Sequence, residues 1–354
     1  LGSKGAPLTP SVFSNSSRYL ELTYDGTIFA RQRFASVPYA LVAQQATQAI
    51  TSTYAMTASY AMASPSSSGV DWQYVKIVAK SGGDYTSISD AMSAITPTSS
   101  SRYLILVMPG TYVGPVTVKE YVHLKGAGVA STIISSTANT NNGNDDGAAT
   151  MIVPANAQVS DLSVVNAATT QDSSGIKVKT PNEYTILDNV HVKVTTSGGE
   201  DHRGIYLTGG LDNPKLTHVH VEVSGGSAQN WGVFNSATSP IVHDSTFMAT
   251  GGTSTVGYRM NGGSPVFTDS KLQGTNGSSG QGMNTSGAGS HIIKIDRSSL
   301  VGDSGGSSVA STDTYDFFVG ASQLDGDVDV FGTADIVCAQ SYDGDYNELD
   351  ATCN

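Results

Sequence analysis

One five-residue phrase recurs seven times between residues 157 and 326, and it constrains the fold more than anything else in the chain. Its versions are Ser160-Asp161-Leu162-Ser163-Val164, Asp188-Asn189-Val190-His191-Val192, Thr217-His218-Val219-His220-Val221, His243-Asp244-Ser245-Thr246-Phe247, Thr268-Asp269-Ser270-Lys271-Leu272, Asp296-Arg297-Ser298-Ser299-Leu300 and Gly320-Ala321-Ser322-Gln323-Leu324. Aligned on the second residue, they follow one another at intervals of 28, 29, 26, 25, 28 and 24 positions. Alternation within a strand puts the third and fifth residues of each phrase on one face and the fourth on the other. The inward column is then Leu162, Val190, Val219, Ser245, Ser270, Ser298 and Ser322, joined by the apolar fifth residues; the outward column is Ser163, His191, His220, Thr246, Lys271, Ser299 and Gln323. A strand-and-turn unit repeating at this near-constant interval buries its apolar face only by stacking on its neighbours. The predicted fold is therefore all-β, a right-handed single-stranded parallel β-helix. Gly175, Gly204, Gly232, Gly257 and Gly282 precede apolar residues between the phrases, and with Pro214, Pro240 and Pro265 they are expected to mark corners.

Composition supports turns over helices, with 39 glycines among 354 residues and only 14% charged residues. A net charge of −12 argues against nucleic acid or an anionic membrane as partner, and no apolar run reaches membrane-span length. No signal-peptide pattern opens at Leu1, as in either a mature or a trimmed chain. Cys338 and Cys353 are the two cysteines; a disulfide between them is expected to close a C-terminal cap over 336–354 and to indicate an extracellular or cell-surface protein.

Residues 1–64 differ from the rest. Arg18 to Tyr24 alternates as a strand, Asp25-Gly26 marks a turn, and Thr27 to Ala30 returns as a hairpin arm. After Pro38 come an alanine-spaced stretch and two Tyr-Ala-Met units, then a linker over 65–72. The segment Ser36-Val37-Pro38-Tyr39-Ala40 resembles one seen in bacterial surface and tail-fibre-like proteins. The arm is read as an oligomerisation element in which Tyr19, Leu20, Leu22, Tyr39, Leu41, Tyr54, Met56, Tyr60 and Met62 supply contact area; a flexible linker is the plainer alternative.

The β-helix is expected over 73–335, opening with a short helix capped by Ser87 that buries Ile88, Ala91, Met92 and Ile95 over the first coil. This opening, with Gly83-Asp84-Tyr85-Thr86-Ser87-Ile88, Pro109-Gly110-Thr111-Tyr112, His123 to Gly128 and Thr132-Ile133-Ile134, is similar to that of pectin methylesterases and other pectin-lyase-like β-helix proteins. The resemblance implies the fold over residues 75–135. Esterases of that family use two aspartates and an arginine on adjacent coils, but their paired-glutamine and "VDFIFG"-type phrases are absent here.

Asp244, Asp269 and Arg297 remain the candidate catalytic residues, because coils stack about 4.8 Å apart and successive carboxylates then approach the spacing of retaining glycosidases. A ladder of polar side chains bonding the corners is the competing reading. His191, His218 and His220 are candidate metal ligands that no carboxylate or cysteine clearly completes, against solvated strand-face histidines. Asn141 to Gly147 has the composition of a calcium loop but lacks its terminal glutamate. No cofactor is expected. The sequence thus points to a secreted, non-enzymatic subunit of a fibre or surface appendage, assembling with identical subunits as a filament or a trimer. The alternative is a carbohydrate-active enzyme or glycan-binding tip acting on surface polysaccharide.

Overall fold

The computed structural model describes residues 18–20, 23–24, 26–28, 32–34 and 74–353, apart from 200, 211, 288, 304–305, 312–314 and 331–334. The chain divides into two units, residues 1–70 and 71–354. In the first, Arg18–Leu20 pairs antiparallel with Gln32–Phe34 and Thr23–Tyr24 with Thr27–Ile28, so the hairpin extends to Phe34. Of the residues expected to mediate assembly, Leu22, Tyr39, Leu41, Tyr54, Met56, Tyr60 and Met62 lie outside the described residues, as does the stretch after Pro38; Tyr19 and Leu20 lie in the first hairpin strand.

The second unit is a parallel β-helix. A nine-stranded sheet takes one strand from each coil, and a 19-stranded sheet takes the strands that carry the phrases. One coil shows the plan. Gln229–Ser236 lies in the nine-stranded sheet, Ile241–His243 and Thr246–Thr250 lie in the larger one, and Ser254–Met260 begins the next coil. All neighbours pair in parallel, for example Val233 with Tyr258, Val242 with Phe267 and Phe247 with Leu272.

The first two phrases lie within the single strands Gln158–Asn166 and Ile186–Thr196, as the repeat predicts, whereas each of the other five is a strand, a corner and a second strand. The second residue of the phrase adopts the left-handed conformation every time: φ is 57° at Asp161, 51° at Asn189, 52° at His218, 45° at Asp244, 52° at Asp269, 46° at Arg297 and 47° at Ala321. Asn, Asp and His tolerate this region better than other non-glycine residues, which accounts for the first five positions. An eighth corner falls at Gln340, φ 54°, within Ala339-Gln340-Ser341-Tyr342-Asp343. The inward column survives the corner because the third and fifth residues both follow it; every one of the fourteen is buried. Ser163 departs from the outward expectation, since it is buried and its hydroxyl donates to the Val129 carbonyl at 2.5 Å.

The change from Leu and Val to Ser along the inward column has a hydrogen-bond cause. At the corners, Asp244 N–H donates to the Thr268 carbonyl and Thr246 N–H to the Val219 carbonyl, leaving the Ser245 amide to find another acceptor. It donates to Ser270 Oγ at 3.2 Å, Ser270 N–H to Ser298 Oγ at 3.1 Å, Ser298 N–H to Ser322 Oγ at 3.0 Å and Ser322 N–H to Ser341 Oγ at 3.4 Å. Each hydroxyl donates in turn to the carbonyl two residues earlier, as Ser298 does to Asp296 at 2.8 Å. The serines form a buried ladder that satisfies both polar groups of every step. Ser298→Ala leaves the buried Ser270 amide without its acceptor and is expected to cost about 1–3 kcal/mol, while Ser299→Ala on the outer face stays near neutral; urea denaturation of the two variants measures the difference.

Gly175, Gly204, Gly232, Gly257 and Gly282 lie inside strands of the nine-stranded sheet, which corrects their expected place at corners. The two sheets approach so closely there that a Cβ on Gly204 would stand 2.0 Å from Val221 Cγ1. Pro214, Pro240 and Pro265 do precede strands of the larger sheet.

Both ends of the stack are closed. Helix Ile88–Ser93 begins at Ser87, whose hydroxyl accepts from Asp90 N–H at 3.1 Å, and it buries Ile88, Ala91, Met92 and, just beyond it, Ile95 against the first coil. At the other end Cys338, on the strand Ile336–Ala339, is disulfide-bonded to Cys353, with both residues buried. No described helix is long and apolar enough to cross a membrane.

Candidate functional site

The corner column projects one side chain per coil outward, and those side chains pair across coils. His218 Nδ1 lies 3.0 Å from Asp188 Oδ1, and its Nε2 lies 3.5 Å from Asp244 Oδ2. One coil on, Arg297 grips Asp269 at two points, Nε to Oδ1 at 2.8 Å and Nη2 to Oδ2 at 2.9 Å, while its Nη1 reaches Asp296. His243 Nδ1 stands 3.5 Å from Asp269 Oδ2 and 3.0 Å from Thr268 Oγ1. The guanidinium hydrogen bonds hold the Asp269 carboxyl below the usual carboxylate range and raise Arg297 in return. The structure therefore joins Asp269 to Arg297 and sets Asp244 against His218. The result is an exposed ridge of alternating carboxylates and imidazoles, which has the composition for general acid–base work.

A second cluster lies in the earlier coils. Lys125 Nζ meets Asp161 Oδ2 at 2.6 Å, Asn189 Nδ2 donates to Asp161 Oδ1 at 2.7 Å, and Ser160 Oγ donates to Asp161 Oδ2 at 3.1 Å. His123 Nε2 is 2.9 Å from Ser160 Oγ. Burial, helped by the Lys125 charge, pushes the His123 imidazole down to about 4, so it is neutral at neutral pH. Burial works to raise Asp161, but the hydrogen bonds from Lys125 and Asn189 outweigh it and keep the carboxylate ionised. Sequence reading placed Asp161 and Asn189 in the column and missed His123, Lys125 and Ser160; the signal was His123 and Lys125 alternating onto one strand face.

His191 and His220 pair in register on adjacent coils, with ring centroids 4.9 Å apart. Glu222, two residues beyond His220 and so on the same face, supplies the third group that sequence reading did not find: its Oε1 is 2.9 Å from His220 Nε2 and 3.9 Å from His191 Nε2. His218, grouped with these two in the sequence, belongs to the corner ridge instead.

On the outer face of the nine-stranded sheet, sequence reading missed a cation set among rings. The buried Arg203 guanidinium lies 5.0 Å from the Tyr206 ring, 5.2 Å from Trp231 and 5.2 Å from Phe234. Strand pairing aligns Arg203 with Trp231 and Tyr206 with Phe234, which builds the patch from two coils. The 141–147 segment reaches this face. Its Asp146 is gripped by Lys177 at 2.8 Å and Lys179 at 2.7 Å, and the Lys177 ammonium also reaches the Asn144 carbonyl. Two lysines thus occupy one of the two carboxylates, Asp145 and Asp146, of the 141–147 segment.

A family model described as Pectinesterase matches residues 75–197, which span the capping helix and the first coils with their His123–Ser160–Asp161 cluster. No curated protein matches. Among solved structures, the pectin methylesterase from carrot is 14% identical, with 78% of this chain and 84% of that one covered and a TM-score of 0.44. The enzyme from Erwinia chrysanthemi is 10% identical, with coverages of 80% and 92% and a TM-score of 0.45; that from rice weevil is 15% identical, with 84% and 88% and a TM-score of 0.45.

The chain is a parallel β-helix whose opening coils, residues 75–197, match the pectinesterase model. This match overturns the expectation of a non-enzymatic fibre subunit assembling as a filament or trimer. That expectation gave the missing catalytic phrases and the Tyr- and Met-rich arm more weight than the opening coils, whose apolar spacing and turns carry the family likeness.

Proposed function

We propose that the chain is a carbohydrate-active enzyme outside the cell, a polysaccharide esterase acting on an acidic, methyl-esterified polymer. The observation that carries this reading is the pectinesterase match over residues 75–197. The Cys338–Cys353 disulfide supports an oxidising, extracellular setting. For the chemistry we assign the corner ridge. Asp269, kept ionised by Arg297, attacks the ester carbonyl, and Arg297 faces the developing negative charge. Asp244, with His218 beside it, donates the proton on which methanol leaves; water then attacks the acyl intermediate, returning one proton to Asp244 and losing the other to solvent, which frees the carboxylate product and Asp269.

Methanol release by purified variants tests the assignment. Asp269→Asn is expected to lower the rate by roughly a hundred-fold or more without altering retention on de-esterified polymer. Full activity in that variant would move the chemistry off the ridge.

A further inference from the structure

His191, His220 and Glu222 meet on a strand face that the proposed esterase chemistry does not use. The coordinating atoms of all three lie within 4.8 Å of one another, and among the described residues no other group of three or more His, Cys, Asp or Glu does so. His191 and His220 are fixed opposite each other by the parallel pairing of Ile186–Thr196 with His220–Gly225. Glu222 follows on the same strand with the alternation that returns it to that face. The Nε2 atom of His191 is buried and has no hydrogen-bond partner, although Glu222 stands 3.9 Å away. A polar ring nitrogen withdrawn from water with no partner lacks a group to coordinate it.

We infer that His191, His220 and Glu222 form a binding site for a divalent transition-metal ion, with zinc the ion the ligand set fits best. Two imidazole nitrogens and one carboxylate oxygen are a three-ligand zinc set that leaves a fourth position for water. Imidazole also selects against calcium and magnesium, which take oxygen ligands. A tetrahedral zinc with bonds near 2.0–2.1 Å needs its ligand atoms roughly 3.3 Å apart; the observed 2.9 and 3.9 Å bracket that value, so side-chain rotation alone completes the geometry. The site is half-buried at all three residues and therefore open to solvent ions. Lys193, paired with Glu222 across the coils, is a cation that opposes the ion, and its flexible chain can swing away. The inference does not depend on the esterase reading.

Calorimetric titration of the full chain with zinc chloride tests it, with near-ultraviolet circular dichroism showing that each variant is folded. One saturable zinc per chain is expected, lost in His191→Ala and in His220→Ala, weakened at least about ten-fold in Glu222→Gln, and unchanged in His218→Ala on the corner ridge. Absence of saturable binding up to about 1 mM zinc would overturn the assignment. So would binding that survives in folded His220→Ala or disappears in His218→Ala. Cobalt(II) in place of zinc adds a second readout, since its visible bands report the tetrahedral ligand set and should vanish with either histidine.

Discussion

Phe247→Ala is expected to lower the unfolding free energy by about 3–5 kcal/mol, the largest effect of any single substitution considered. Phe247 follows the Asp244 corner, is fully buried, and stacks in register between Val221 and Leu272. Its ring lies 6.1 Å from that of Tyr258, and the backbone of Gly232 comes so near that a Cβ there would stand 3.1 Å from Phe247 Cβ. Neighbouring coils are tied on both sides by the parallel pairing, so they cannot collapse into the vacated space. The cavity term therefore adds to the lost transfer energy. Phe247→Leu, which keeps most of the volume, is expected to cost less than about 1.5 kcal/mol. Urea denaturation of both variants makes the comparison, and a loss below about 1 kcal/mol for the alanine variant would mean that the core is not continuous at this coil.

Removing the Cys338–Cys353 disulfide is expected to cost about 3 kcal/mol, because the bond closes a 15-residue loop whose freedom it removes from the unfolded chain. In a solenoid each coil contacts only its neighbours, so the loss should be local. Cys338 N–H donates to the Ala351 carbonyl at 3.0 Å, which ties the terminal segment across the last strands. Cys353→Ser should therefore speed amide exchange in Ile336–Ala339 and Tyr342–Asp343, while strands such as Gln158–Asn166 keep their protection. Uniform acceleration along the whole body would instead make the terminal segment part of one cooperative unit.

The β-helix was legible because its signal repeats. Seven phrases at coil-length intervals determine which residues face inward, and the capping helix and disulfide follow from local patterns. What stayed hidden depends on cross-coil register, which varying coil lengths obscure. Glu222 reveals itself beside His191 only once Lys193 is known to pair with it. Arg203 meets Trp231 and Phe234 through the second sheet, which the phrase alignment does not address. The eighth phrase escaped because Asp343 replaces the apolar fifth residue and the interval is short. The left-handed corners were signalled by Asp, Asn and His at one position, a pattern that period-two reasoning reads only as polarity.

The most direct test of the esterase reading is to incubate the wild-type chain with a methyl-esterified polyuronate and measure methanol and reducing ends in the same reaction. Methanol should accumulate while reducing ends stay at the level of the enzyme-free control. Neither product, with no retention of the protein on the polymer, would contradict the account; reducing ends without methanol would replace ester hydrolysis with chain cleavage.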